Sequence, residues 1–161
     1  MILHAGLIAL WSPAGWRGVL IEGPSGSGKS DLALRALGQG FRLVADDRVV
    51  IWESGGALYG RAPDTLAGRM EVRGLDVVTQ PALAFCRIAL AARPGVPDRI
   101  PAPARVEHLG LSLPLVILPL LEASAPGKLA RALQHLGGGA EGAYQGACAA
   151  GRRRVRAGDS R

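Results

Sequence analysis

Short apolar runs separated by turn residues dominate the first 60 residues and predict strands joined by tight turns. Five runs of this kind are predicted as strands: 2–10, 17–22, 41–45, 49–52 and 57–59. A turn over 11–16 separates the first two runs, and Ser54-Gly-Gly56 separates the last two. Each of these two pairs is therefore expected to form a β-hairpin.

The second half of the chain is richer in proline and predicts more irregular structure. The elements predicted there are one or two helical turns over 63–69, a strand over 70–78 bent at Gly74, a strand over 85–92, a loop over 93–104 and a strand over 111–121. Four prolines exclude a helix or central strand from the loop. Pro114 and Pro119 interrupt the last strand, which favours an edge position or a bulge, because proline cannot donate to the hydrogen-bond ladder.

Two stretches have the apolar spacing of helices. The first covers 31–37 and ends at Gly38-Gln-Gly40, and the second covers 126–136, with Ser124 as its cap and Pro126 in its first turn. From residue 137 onward glycine, alanine and arginine dominate, with few bulky apolar side chains to offset the entropy of ordering. The sequence therefore predicts one domain over 1–136 and a basic, disordered tail over 137–161.

A glycine-rich segment between the strand over 17–22 and the helix over 31–37 reads Gly23-Pro-Ser-Gly-Ser-Gly-Lys29-Ser30. It fills every fixed position of the P-loop spacing G-x-x-x-x-G-K-[ST]. Such a loop points backbone N–H groups at an anion, and the following helix adds the positive end of its dipole. The residues predicted to bind nucleotide phosphates are Gly23, Pro24, Ser25, Gly26, Ser27, Gly28, Lys29 and Ser30.

Within this motif, Lys29 is expected to reach the β- and γ-phosphates, and the Ser30 hydroxyl is expected to ligate Mg²⁺. A glycine-rich turn without a ligand is the alternative interpretation. The lysine and serine at the required positions, with a strand and a helix on either side, argue against it. The motif predicts binding of nucleotide phosphates and does not name the reaction.

Composition and charge narrow the remaining classes of function. The 161 residues suffice for one domain with its own core, and no apolar run reaches the 18 residues that cross a membrane. Residues 1–11 carry no Lys or Arg ahead of the apolar part, unlike a signal peptide. Cys86 and Cys148 are isolated, which fits a reducing, cytoplasmic compartment. The net charge is +6, but the basic residues form no stripe with interleaved aromatics, so nucleic acid is not the expected ligand. A basic domain of this kind suits a phosphate-rich ligand or an acidic protein.

Three acidic residues are candidates for the chemistry beside the P-loop: Asp46, Asp47 and Glu71. Asp46 and Asp47 end the apolar run that follows the P-loop helix, and that end of a strand can lie beside a phosphate loop. Adjacent strand residues point to opposite sides, so one carboxylate can serve as base or metal ligand while the other faces elsewhere. A simple pair of turn acids is the alternative interpretation.

Several segments together resemble the catalytic domain of the HPr kinase/phosphorylase family. These segments are His4-Ala-Gly-Leu-Ile, the P-loop followed by Asp31, Phe41-Arg-Leu-Val-Ala-Asp-Asp-Arg-Val, and Glu71-Val-Arg-Gly-Leu-Asp-Val-Val. Their order and spacing fit from His4 to about Val78, with a few extra residues in the turn before Arg17. Beyond Val78 the resemblance becomes weak.

The resemblance implies an α/β P-loop kinase domain with a mixed sheet, akin to phosphoenolpyruvate carboxykinase, that assembles as a hexamer. It implies ATP-dependent phosphorylation, with Mg²⁺, of a serine on HPr, a small phosphocarrier protein of the phosphotransferase system. It also implies the reverse reaction, in which inorganic phosphate removes that phosphate and gives pyrophosphate. By position, the implied catalytic residues are Asp47 as base, His4, Lys29, Asp46 and Arg99 as a phosphate contact, and the implied Mg²⁺ ligands are Ser30 and Glu71.

The chain departs from the family pattern in two places. The separate N-terminal domain that the family usually carries does not appear in these 161 residues, so the chain is expected to resemble the short members. The arginine-rich loop linked to the reverse reaction appears as residues 121–128 with only Lys128 as a cation, which puts that reaction in doubt. Two other functions remain open: a small-molecule P-loop kinase, for which 93–105 would be a poor lid, and a nucleotide sensor without catalysis, which would need no base.

Overall fold

A computed structural model describes residues 1–137, which form a mixed α/β domain. The strands are β1 (Ile2–Ser12), β2 (Gly15–Glu22), β3 (Arg42–Ala45), β4 (Arg48–Ser54), β5 (Ala57–Arg61), β6 (Arg69–Val72), β7 (Asp76–Thr79), β8 (Cys86–Pro94), β9 (Ala104–His108) and β10 (Leu111–Leu118). The helices are α1 (Lys29–Leu37), α2 (Ala125–His135) and a 3-10 turn (Asp64–Leu66). Both hairpins predicted in the first 60 residues are confirmed, as are both helices.

The main sheet has the strand order β2-β1-β4-β5-β8-β10-β9, with β3 paired to β1. Parallel pairing of β2 with β8 also closes β2, β1, β4, β5 and β8 into a ring. The inside of this ring is tightly packed. A Cβ atom on Gly18 would lie 2.6 Å from the Cys86 sulfur, and one on Gly60 would lie 2.6 Å from Cδ2 of Leu7. Glycine is therefore required at both positions by space.

Two apolar cores lie on opposite faces of the sheet, as the two-residue period of a strand dictates. Leu7 belongs to the core inside the ring, whereas its neighbour Ile8 belongs to the core beneath the helices. The helical core joins β2 and β8 to both helices, through residues that include Ile21, Leu32 and Leu129. The P-loop helix is thus fixed against the sheet at the point where β2 ends.

The strand predicted over 70–78 is wrong, because this segment is a hairpin. β6 and β7 pair antiparallel as a separate two-stranded sheet, and Gly74 lies in the turn between them with φ +84°. An alternating pattern on both sides of a glycine fits one bent strand or two paired strands equally well. The positive φ, which glycine adopts without a Cβ clash, selects the turn.

The predicted loop over 93–104 is too long, and β10 is neither an edge strand nor a bulged one. β8 extends to Pro94, β9 begins at Ala104 and forms the edge, and β10 lies between β8 and β9 in regular register. Pro114 is tolerated there because β8 pairs with β10 only from Leu115 onward. At Pro114, β10 therefore pairs with β9 only, and the absence of a proline N–H removes no hydrogen bond to β8.

The sequence also predicts the N-cap of α2 and the character of the chain end. Ser124 is the N-cap residue of α2, although its hydroxyl makes no capping hydrogen bond. Within residues 1–137 no helix combines the length and the apolar character needed to span a bilayer. The tail predicted after residue 136 lies outside the described residues, apart from Gly137, and stays a prediction.

Candidate active site

The P-loop connects β2 to α1 at the edge where the parallel strands β2, β8 and β10 all end. Gly28 caps α1 with φ +95°, and its carbonyl accepts the first helical hydrogen bond, from Leu32 N–H, at 2.9 Å. Gly23 has φ +149°, and a Cβ there would lie 2.8 Å from Cδ of Pro94. Both glycines are needed for the curled backbone that exposes amide groups at the helix start.

The Lys29 side chain lies across the P-loop and bonds to its backbone. Its Nζ donates hydrogen bonds to the carbonyl oxygens of Gly23 at 2.8 Å and Pro24 at 2.9 Å. The side chain is buried, and this burial lowers the pKa of Lys29, while the nearby charges of Asp47 and Asp46 act in the opposite direction. A phosphate group would replace the two carbonyls as the partner of this ammonium group.

The Asp46 side chain connects the end of β3 to α1 and to β6. Its Oδ1 accepts a hydrogen bond of 2.8 Å from the Ser30 hydroxyl, and its Oδ2 accepts one of 3.1 Å from the backbone N–H of Glu71. Only 5% of Asp46 is exposed. Its carboxylate therefore holds the P-loop helix and β6 in place and has little access to a ligand.

Asp47 differs from its neighbour in conformation and exposure. Its φ of +67° is rare for a residue with a side chain, and 59% of that side chain is exposed. Oδ1 lies 3.2 Å from Nε2 of His4, and Oδ2 lies 3.4 Å from Nε of Arg48. The two adjacent acids do face different surroundings, as predicted, because the left-handed backbone at Asp47 turns its carboxylate away from the interior.

A cavity of about 340 Å³ brings most of the predicted residues together. Its lining includes His4, Ser25, Gly26, Gly28, Lys29, Ser30, Asp47 and Glu71. Arg99, in contrast, is exposed in the loop between β8 and β9 and does not line the cavity. Its assignment as a phosphate contact stays a prediction without a contact in this structure.

Both residues predicted to ligate Mg²⁺, Ser30 and Glu71, line this cavity. Among residues 1–137, no group of three or more His, Cys, Asp and Glu side chains could hold a metal ion alone. Mg²⁺ commonly keeps several waters and takes one or two protein oxygens together with substrate phosphates. The donor set therefore fits a Mg²⁺ ion that binds together with a nucleotide.

Sequence reasoning did not predict five residues of the cavity wall: Asp31, Leu34, Val72, Arg73 and Leu121. Arg73 lies two residues after Glu71, and the two-residue period would have placed both on one face. Leu34 lies four residues after Ser30 and so shares a face of α1 with it. No local signal points to Leu121, which reaches the P-loop from 93 residues farther along the chain.

Comparison with known proteins identifies the relatives of this chain. The sequence model described as HPr Serine kinase C-terminal domain matches residues 3–83, half of the chain. The HPr kinase/phosphorylases of Clostridium tetani and Clostridium acetobutylicum are 50% and 48% identical over 66 residues. Each of these matches covers 41% of this chain and 22% of the relative, so it spans about a fifth of the curated protein.

A solved structure shares the fold over most of the chain. The structure of the Hpr(Ser) kinase/phosphatase from Coxiella burnetii superposes with a TM-score of 0.67 and 21% sequence identity. The superposition covers 83% of this chain and 99% of that one. The match over residues 3–83 contains the P-loop, His4, both adjacent aspartates and Glu71, and on this basis the chain belongs to the HPr serine kinase C-terminal domain family.

Proposed function

We propose that this domain transfers the γ-phosphate of ATP to a serine of an HPr-like phosphocarrier protein. The observation that carries the proposal is the exposed Asp47 carboxylate in the same cavity as Lys29 and Ser30. A domain that only binds nucleotide phosphates has no need of an accessible carboxylate there. Supporting this, the curated relatives are named HPr kinase/phosphorylase.

In the forward reaction, the P-loop amides and Lys29 hold the phosphates, and Asp47 receives the serine hydroxyl. The serine oxygen forms a bond to the γ-phosphorus as the bond from that phosphorus to the β-bridging oxygen breaks, and ADP leaves. The serine proton moves to the Asp47 carboxylate. When bound, Mg²⁺ neutralises charge on the β- and γ-phosphate oxygens.

His4 and Asp46 support this chemistry from two sides. At 3.2 Å from Oδ1, Nε2 of His4 orients the Asp47 carboxylate. Asp46 fixes Ser30 through the hydrogen bond of 2.8 Å, and the Ser30 oxygen keeps lone pairs for a metal ion. Glu71 supplies a second carboxylate at the cavity wall.

Phosphorolysis of the phosphoserine is the weaker activity in this proposal. There, an oxygen of inorganic phosphate would form a bond to the phosphorus of the phosphoserine as the bond from that phosphorus to the serine oxygen breaks. Asp47 would return its proton to the serine oxygen, and pyrophosphate would leave. Residues 121–128, predicted as a loop, run from the loop after β10 into the first turn of α2, and their only cation is Lys128, which pairs with Glu122 at 2.5 Å. A lysine neutralised in this way attracts a free phosphate ion less strongly than unpaired arginines would.

The remaining details of the proposal follow the family. They are the P-loop variant akin to phosphoenolpyruvate carboxykinase, a homo-oligomer of six subunits and a cytoplasmic setting. Each stays an expectation for this chain, which matches only part of its curated relatives.

The direct experiment incubates the protein with Mg²⁺, ATP labelled at the γ-phosphate, and a purified HPr-like phosphocarrier. A phosphocarrier whose acceptor serine is replaced by alanine serves as the matched control. We expect label on the unmodified phosphocarrier alone. Label on a small molecule instead would indicate a small-molecule kinase, and ATP binding without any transfer would indicate a sensor; either result refutes the proposal.

A further inference from the structure

Leu121 is a large apolar residue that is 68% exposed and lies against the P-loop. A Cβ atom on Gly28 would lie 2.8 Å from Cδ2 of Leu121, and both residues line the cavity together with the partly exposed Leu34. We propose that residues 119–122, the loop after β10, form the wall that binds the nucleoside of the nucleotide, with Leu121 packed against the base. This inference rests on the proposed function, since it assigns the other end of the same ligand.

The sheet topology places this loop on the correct flank. β2, β8 and β10 are parallel neighbours, so the P-loop after β2 and the loop after β10 meet at one edge. Ligands of open α/β sheets bind at this edge, outside the carboxyl ends of the strands. His4 and Asp47 approach from the side of β1 and β3, where the terminal phosphate reacts. The flank formed by the loop after β10 is therefore the one available to the nucleoside.

Arg35 holds this loop in place on α1. Its guanidinium group donates hydrogen bonds to the carbonyl oxygens of Leu120 and Glu122, which flank Leu121, and to Oδ2 of Asp31 at 2.8 Å. A planar guanidinium can reach several oxygens at fixed angles, which lysine cannot do. Arg35 is thus a positioning residue that acts through Leu121, without touching the nucleotide itself.

The chemistry of this wall predicts weak selection among purine bases. Of the proposed wall over 119–122, Leu121 lines the cavity, with Leu34 of α1 also in the lining, and neither side chain carries a donor or acceptor that could read a base edge. Leu34 and Leu121 offer only apolar contact, and apolar contacts discriminate poorly between ligands of similar shape. We expect ATP and GTP to bind with affinities that differ by less than about tenfold, the low end of what apolar contacts discriminate.

The test measures binding by displacement of a fluorescent nucleotide, using ATP, GTP and inorganic tripolyphosphate as competitors. Leu121→Ala is expected to weaken ATP binding about three- to tenfold, because it removes part of the apolar contact. Tripolyphosphate, which has no nucleoside, should bind the variant within about twofold of wild type. Leu136→Ala, at an exposed leucine after α2 and outside the cavity, is the matched control and should change neither affinity.

A second variant tests the positioning role. Arg35→Lys keeps the charge, should weaken ATP binding in the same direction, and should add little to Leu121→Ala in the double variant. Full additivity would refute the positioning role, and equal losses for ATP and tripolyphosphate, or an unchanged ATP affinity in Leu121→Ala, would refute the nucleoside wall. A preference between ATP and GTP above tenfold would refute the weak base selection. Failure of the wild type to bind any nucleotide would instead overturn the proposed function.

Discussion

Ser30 and Asp46 are joined by a hydrogen bond of 2.8 Å from the serine hydroxyl to Oδ1 of the buried carboxylate. The other oxygen of Asp46 is taken by the backbone N–H of Glu71. Both Asp46 oxygens therefore accept hydrogen bonds from within the protein, whereas the side chain of the next residue, Asp47, is largely exposed and lines the cavity. This contrast is the basis for proposing a structural role for Asp46 and a catalytic role for Asp47.

We expect Asp46→Asn to destabilise the domain, because its hydrogen bonds with the Ser30 hydroxyl and the Glu71 N–H would then join a neutral amide instead of a carboxylate. The expected loss in free energy of unfolding is about 1–3 kcal/mol, the difference between charged and neutral hydrogen bonds at two contacts. Urea denaturation measures it. Asp64→Asn, at a side chain that is 92% exposed, is the control and should unfold like wild type. Equal stability of the two variants would contradict the structural role of Asp46.

Lys29→Ala should abolish nucleotide binding, because it removes the cation that faces the phosphates. It should also lower the melting temperature by a few degrees, since the two hydrogen bonds that close the P-loop are lost. Titration with ATP and a thermal scan check both effects. Arg131→Ala removes an exposed cation outside the active-site cavity and should leave ATP affinity unchanged. Retention of wild-type ATP affinity in Lys29→Ala would argue against a phosphate site in the P-loop.

Cys86 should resist alkylation in the folded protein, because burial raises the pKa of its thiol from 9.0 to about 12. Peptide mapping after iodoacetamide treatment at pH 8 should find it unmodified in buffer and modified in guanidinium. Because the folded state holds this proton more tightly than the unfolded state, the thiol should destabilise the fold as pH rises from about 9 to 12. Fast labelling of Cys86 in buffer would show that the inside of the strand ring opens readily.

Light scattering at micromolar concentration should give a mass above that of one chain. β10, which the sequence predicts as an edge or bulged strand, lies inside the sheet and offers no edge to a second chain. The exposed apolar side chains include Leu75 and Val77 on the β6–β7 hairpin, which are 74% and 57% exposed. Exposed apolar groups of this kind are typical of surfaces that bind a partner. A monomer mass would refute the prediction.

The sequence was sufficient for the elements that carry a local signal. The P-loop, the helix after it and the two early hairpins combine fixed turn residues with a clear period, so their positions and pairings could be predicted. The P-loop spacing and the position of Asp47 at the end of the next apolar run also predicted that Lys29, Ser30 and Asp47 could lie close together, and all three line one cavity. Which of Asp46 and Asp47 is buried and which is exposed could not be derived, because this depends on a left-handed backbone at Asp47 that no pattern indicates.

The elements that sequence reasoning missed depend on contacts between distant residues. β9 is short and largely exposed, and it is recognised only through its pairing with β10. The link from Arg35 to the carbonyls of Leu120 and Glu122 joins positions at least 85 residues apart. Such a contact arises from the parallel order of β2, β8 and β10, which a single sequence does not specify.

The proposed role of Asp47 as the base is tested most directly by comparing Asp47→Asn with wild type at saturating Mg²⁺. The two quantities measured are the ATP affinity and the single-turnover rate of phosphoryl transfer to the phosphocarrier serine. We predict unchanged ATP affinity, because Lys29, Ser30 and the P-loop amides are intact. The rate should fall about 10²–10⁴-fold, because an amide cannot accept the serine proton. Near-wild-type turnover in Asp47→Asn would contradict the account, and if Asp46→Asn were inactive at the same time, the roles of the two acids would be reversed.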